Sequence, residues 1–173
     1  TKINHPAIPI TAEELALCAE ECMEAGASVI HLHVRDEYGR HSLDAGRYKE
    51  AITAIREKIG DGLVIQVTTE AVGQYTPHEQ MEVVRSLQPE AVSLALKELV
   101  PDTQYEADFG SFLKWLDIKG IASQFILYDK KDVELFASLH KKEIIRRPSD
   151  WVLFVLGRYQ EGQGSDPKQL DTF

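Results

Sequence analysis

Five short apolar runs recur along this chain at intervals of about 30 residues, each followed by a stretch with helical periodicity. The runs are 27–36, 63–69, 91–96, 121–128 and 151–156, and Val, Ile, Leu and Phe dominate them. Between them lie helices expected at about 44–59, from Thr76, at 103–118 and from Asp129, with one before the first run and the start of another at Ser165. That alternation is the βα unit of a parallel sheet, because parallel neighbours need a crossover long enough to hold a helix. The runs are nearly continuous in their apolar residues, as strands covered on both faces are. Two architectures remain open from the residues alone: an open doubly wound sheet or a closed barrel. No Gly-x-Gly-x-x-Gly or P-loop follows a strand, which weakens a nucleotide-binding reading of the open sheet.

The helix boundaries have local causes. Thr11-Ala-Glu-Glu14 and Thr76-Pro-His-Glu79 both read as capping boxes, and Pro77 takes the favoured first helical position. Leu15, Cys18, Ala19, Cys22 and Met23 repeat at the spacing of one helical face, and Gly26 ends that helix. Asp36 to Ser42 reads as a polar loop around Gly39.

The first run ends in unusual chemistry. His31, His33 and Arg35 stand two residues apart, so as strand residues all three share a face and point the same way. A single strand histidine is usually a hydrogen-bonded core residue. A His-x-His pair at the polar end of an apolar strand can hold a divalent metal, most often zinc. In either architecture sites form at the C-terminal strand ends. There the other runs offer Thr68, Thr69 and Glu70, then Ser93, Lys97 and Glu98, then Gln124, Tyr128 and Asp129, then Gly157, Arg158 and Tyr159. Asp129 reads first as a helix cap, and Lys97 and Glu98 as solvated loop charges. A metal beside Arg35 or Arg158 would suit a substrate with a ketone and a carboxylate, because a guanidinium clamps a carboxylate bidentately.

Net charge is −9 over 173 residues and the pI is about 5.1, so no basic patch exists to neutralise nucleic-acid phosphates. No apolar run approaches the roughly 20 residues of a membrane span. Cys18 and Cys22 lie one turn apart on one helix, a poor geometry for a disulfide, and read as reduced thiols of a cytoplasmic protein.

These motifs together resemble one family. Ile10-Thr-Ala-Glu-Glu14, Ala25-Gly-Ala27, His-Leu-His-Val-Arg-Asp at 31–36 followed by Gly39, Val67-Thr-Thr69, Pro89-Glu-Ala-Val-Ser-Leu94 and Phe154-Val-Leu-Gly157 are similar to the β-keto acid cleavage enzymes. The founding activity of that family is 3-keto-5-aminohexanoate cleavage. The resemblance implies a (β/α)8 TIM barrel, usually oligomeric, as a dimer or tetramer. It implies a reaction of a β-keto acid with acetyl-CoA to give acetoacetate and a new CoA thioester. It implies a zinc ion held by His31 and His33 with a late-strand glutamate beyond this chain as third ligand. It also implies substrate contacts from Thr69, Ser93 and the position of Gln124; Arg35, from its place beside the two histidines, is the catalytic candidate. The chain departs from the family pattern at Glu70-Ala71, where Gly-Gly is frequent, at Ala95, where Asn is frequent, and at Gln124, where Glu is common. About five strands of a barrel of about 250 residues are visible. Thr1 stands first and Asp171-Thr172-Phe173 closes the chain just after a helix start. Residues 1–173 are therefore expected to be a single barrel domain incomplete at both ends. Two other readings fit the same residues: another zinc-dependent barrel lyase or hydrolase, and a non-catalytic ligand-binding member of the fold.

Overall fold

The computed structural model describes residues 2–3, 5–146, 151–157 and 165–173. Helix α1 (Ala12–Glu24) starts at its capping box: Glu14 N–H donates to Thr11 Oγ1 and Thr11 N–H donates to the Glu14 carboxylate. Lys2 hydrogen-bonds the same carboxylate, and Ile10 N–H adds another donor. These donors, Lys2 foremost, hold the Glu14 carboxyl down at about 2. Strands β1 (Val29–Leu32), β2 (Val34–Arg35) and β3 (His41–Ser42) follow, then α2 (Ala45–Ile59), capped by Asp44. Next come β4 (Val64–Thr68), α3 (Pro77–Leu87) with the second capping box, β5 (Ala91–Ala95) and the single turn α4 (Leu96–Leu99). A 3₁₀ turn (Thr103–Tyr105) leads into α5 (Glu106–Lys119). Then β6 (Ala122–Leu127), α6 (Lys130–Lys141), capped by Asp129, β7 (Trp151–Phe154) and a closing 3₁₀ helix (Pro167–Thr172) complete the order.

Five strands pair in the order β1-β4-β5-β6-β7, every pair parallel. The sheet curls as a half-barrel, consistent with part of a (β/α)8 barrel. Strand parity sorts its side chains. Ile65, Val67, Val92, Leu94, Phe125 and Leu127 point outward and join Tyr48, Ile55, Val84, Phe112, Leu116 and Leu139 of the helices in one buried cluster. His31, Gln66, Thr68, Ser93 and Gln124 alternate with them and turn inward. The register lines them up across strands: His31 opposite Gln66, Thr68 opposite Ser93, Ser93 opposite Gln124.

The structure corrects several expectations. The run 27–36 is not one strand. The parallel ladder ends at Leu32, and β2 turns away to pair antiparallel with β3, Val34 opposite Ser42 and Arg35 opposite His41. A three-residue loop closes that hairpin, with Asp36 N–H donating to the Arg40 carbonyl and Gly39 at φ 74°, the left-handed position such loops need. Lys97 and Glu98 sit in α4, drawn into a turn by the fully buried Leu96 and Leu99. The helix expected from Thr103 begins as 3₁₀, because the Asp102 side chain accepts from Gln104 N–H. Cys18 and Cys22 are free and half-buried, and burial, then Cys22, pushes the Cys18 thiol up.

Candidate metal centre at the strand ends

The inward-facing polar groups meet at the C-terminal ends of β1 and β4, in a cavity of about 780 Å³. His31, His33, Arg35, His41, Gln66 and Glu70 line it, with Thr68, Gln124 and Tyr128 among its other walls. A larger groove of about 1000 Å³ runs between α1 and α2, but its walls are Lys, Glu, Thr, Ala and Leu17, with no histidine or cysteine among them. The chemistry lies in the first of the two.

His31 sits at the end of β1 with its ring nitrogens in two different roles. Nδ1 lies 2.6 Å from Gln66 Oε1, and Gln66 Nε2 donates to Gln124 Oε1 at 3.3 Å. An amide oxygen only accepts, so His31 Nδ1 carries the proton and Nε2 the lone pair. That Nε2 lies 2.9 Å from His33 Nε2. A tetrahedral zinc with bonds of about 2.0–2.1 Å sets two ligand nitrogens roughly 3.3 Å apart, so the pair fits a shared ion after a small opening. A histidine whose other ring nitrogen donates to an oxygen is also the usual arrangement at metal sites. On its opposite edge, His33 Nδ1 lies 3.8 Å from Glu70 Oε2.

His41 enters through the hairpin register, which sets it directly across from Arg35. It is nine-tenths buried. Its Nε2–H donates to the Glu70 carbonyl at 2.7 Å. Its Nδ1 is buried and finds no hydrogen-bond partner among the described residues. One donor atom each of His33, His41 and Glu70 lies within 4.8 Å of the other two. Neighbouring contacts hold this corner in place. Glu98 accepts from Ala71 N–H at 2.9 Å and pins the loop after β4. The buried Tyr48 hydroxyl stands 3.5 Å from both the Leu32 and Thr68 carbonyls, and burial pushes that phenol well up.

The other sequence candidates fall in different places. Arg35 lines the cavity and its guanidinium enters no ion pair among the described residues. Thr69 turns away from the cavity: its hydroxyl donates to the Ser93 carbonyl at 2.9 Å, while Thr68 faces in. Ser93 is buried and its Oγ finds no partner among the described residues. Gln124 lines the cavity and accepts from Gln66. Lys97 lies 3.5 Å from both Asp129 and Asp132 and over the Tyr128 ring. Arg158 and Tyr159 lie outside the described residues. Sequence reasoning missed His41 and Gln66. A three-residue hairpin with Gly39 at its left-handed position would have flagged His41. Gln66 has no local signal, since its role depends on the β1–β4 register.

A family model described as beta-keto acid cleavage enzyme matches residues 1–173. The chain belongs to the β-keto acid cleavage enzyme family. A 3-keto-5-aminohexanoate cleavage enzyme of Fusobacterium nucleatum is 34% identical over 173 residues, covering 96% of this chain and 62% of its own length. One of the same name from Acetoanaerobium sticklandii is 32% identical over 177 residues, 98% of this chain and 63% of its own. A 3-oxoadipate:acetyl-CoA acetyltransferase of Cupriavidus necator is 30% identical over 115 residues, 66% of this chain and 39% of its own. This member of the family thus spans somewhat under two thirds of the length of the first two relatives. Among the described residues, no helix is long and apolar enough to cross a membrane.

Proposed function

We propose that this protein is a metal-dependent β-keto acid cleavage enzyme. It takes a β-keto acid and acetyl-CoA and returns acetoacetate and a new acyl-CoA. The balance is simple: the acyl group of the keto acid leaves its two-carbon carboxylate part for the CoA sulfur, and the acetyl group of acetyl-CoA takes its place. The observation that carries the reading is the pair of facing Nε2 atoms of His31 and His33, with the His31 tautomer fixed by Gln66. A divalent metal of the zinc class bound there supplies Lewis-acid polarisation of the ketone oxygen. Arg35, on the cavity wall and without an ion-pair partner among the described residues, binds the substrate carboxylate. Ser93 Oγ and the Gln124 amide supply polar contacts to the rest of the keto acid. Thr69 acts through Ser93, whose carbonyl it holds. The relatives' names support the substrate classes: two name a keto-acid cleavage and one names acetyl-CoA. The reading carries with it a cytoplasmic setting, in keeping with the free Cys18 and Cys22 thiols, and assembly as a dimer or tetramer.

The test is product analysis. The protein is incubated with acetyl-CoA and a panel of β-keto acids that includes 3-keto-5-aminohexanoate and 3-oxoadipate. Acetoacetate and the acyl-CoA are then measured by mass spectrometry. One keto acid should give both products in equal amounts, and His31→Ala should lower the rate by more than about 100-fold, beyond the loss typical of a residue that only supports a metal ligand. No acetoacetate from any keto acid, in metal-supplemented buffer, removes the reading.

A further inference from the structure

The hydrogen bonds of this site decide where the lone pair of His33 points. His31 Nε2 is an acceptor, because Nδ1–H is committed to Gln66. The 2.9 Å contact between the two Nε2 atoms therefore needs its proton from His33. A neutral imidazole has one N–H and one lone pair, so in this arrangement the lone pair of His33 sits on Nδ1. That is the edge facing Glu70, not the edge facing His31. On the same side, His41 spends its Nε2–H on the Glu70 carbonyl, which leaves Nδ1 as its lone-pair nitrogen. That atom is buried and has no hydrogen-bond partner among the described residues. An unsatisfied nitrogen in a nine-tenths buried ring is unfavourable unless something binds it.

We propose that His33, His41 and Glu70 form a second divalent-cation position, on the edge of the His33 ring opposite His31. Two imidazoles and one carboxylate are a donor set that zinc accepts in three-ligand sites with an open fourth place. One donor atom of each of the three residues lies within 4.8 Å of the other two, and a shared ion would draw them closer, toward the roughly 3.3 Å edge of a tetrahedral site. Arg35, directly across from His41, adds a positive charge beside the position, so the Glu70 carboxylate is the ligand on which the charge balance depends. The two cation positions share His33, and its single lone pair serves one of them at a time. The chain then holds one ion, and the tautomer of His33 selects where. The proposal rests on the metal-dependent reading above only for the position shared by His31 and His33.

Cobalt(II), added alone, is the probe, because its visible bands report the donors around it. The His31→Ala protein should still bind about one cobalt per chain, with bands of a nitrogen- and carboxylate-ligated ion. Adding Glu70→Gln or His41→Gln to it should weaken binding by at least tenfold, within the range found when metal-site groups are replaced. Far-UV circular dichroism checks the fold. Glu70 is the more exposed of the two, so its variant decides if the buried His41 variant unfolds. A His31→Ala protein that binds no cobalt overturns the second position, as do double variants that bind as tightly as His31→Ala alone. Activity is read separately: cobalt retained by His31→Ala while the wild type makes no acetoacetate sinks the cleavage reading and leaves this one standing.

Discussion

The two faces of the same five strands are built to opposite rules. On the outward face, Val67, Val92, Leu94 and Phe125 are fully buried against the helices, and each needs only volume and shape. On the inward face, Gln66, Thr68 and Ser93 are as deeply buried, yet they are polar. Burying a polar group costs free energy unless it finds partners. Gln66 finds two, one in His31 and one in Gln124, and Ser93 Oγ finds none among the described residues. Apolar side chains would serve stability better at these inward positions. Buried polarity is therefore the informative part of this sheet, and it gathers where the two histidines stand.

Substitutions on the two faces should separate cleanly. The largest expected effect is Phe125→Ala on the outward face. Phe125 is fully buried and packs against Phe136 with ring centroids 5.3 Å apart, so the cavity left should cost about 3–5 kcal/mol in urea unfolding. The folded fraction should bind cobalt as before, because no side chain of the metal corner is touched. A changed cobalt spectrum would mean that the two faces are coupled. Gln66→Leu, on the inward face, keeps the volume and removes the acceptor that fixes His31. It should lower cleavage activity roughly 10–100-fold, equivalent to about 1.4–2.7 kcal/mol. An unchanged rate would show that His31 needs no fixed tautomer.

What could be read from the chain follows the same division. The outward face and the helices announce themselves locally: apolar runs, two capping boxes, Asp129 as a cap and Gly26 after α1 all stand where the residues put them. His31 and His33 were visible because both lie in one run. A shared strand face is not what brings them together, since the strand breaks after Leu32 and the rings converge across that break. Gln66 and His41 belong to pairings over 35 residues and across a hairpin, and register is a property of two segments that neither shows alone. The choice between Thr68 and Thr69 is of the same kind. One step of parity sends one hydroxyl to the cavity side and the other to the Ser93 carbonyl.

The smallest effect lies farthest from the sheet, at the start of α1, and it tests whether polar groups outside the core matter to the fold at all. Among the described residues two capping boxes are present, and of these the first has a lysine on its carboxylate while none is seen on the second. In both, the folded-state carboxyl is held below its ordinary value: Glu14 at about 2, by Lys2 first and then the Ile10 and Thr11 N–H groups, and Glu79 by the Thr76 N–H and hydroxyl. A depressed folded pKa gives stability that is present above the unfolded value of about 4.5 and is lost as pH falls through about 2. Both Lys2 and Glu14 are solvent-exposed, so salt and water screen the pair and the contribution is small. Glu14→Gln should therefore lower Tm by no more than about 1–2 °C at pH 6. The difference from wild type should shrink as pH drops below 4 and shrink again in high salt. A Glu14→Gln deficit that persists at pH 2 would assign the effect to the hydrogen-bonding shape of the cap rather than to its charge. The exposed helix ends would then obey the rule of the inward face, where geometry matters more than net charge.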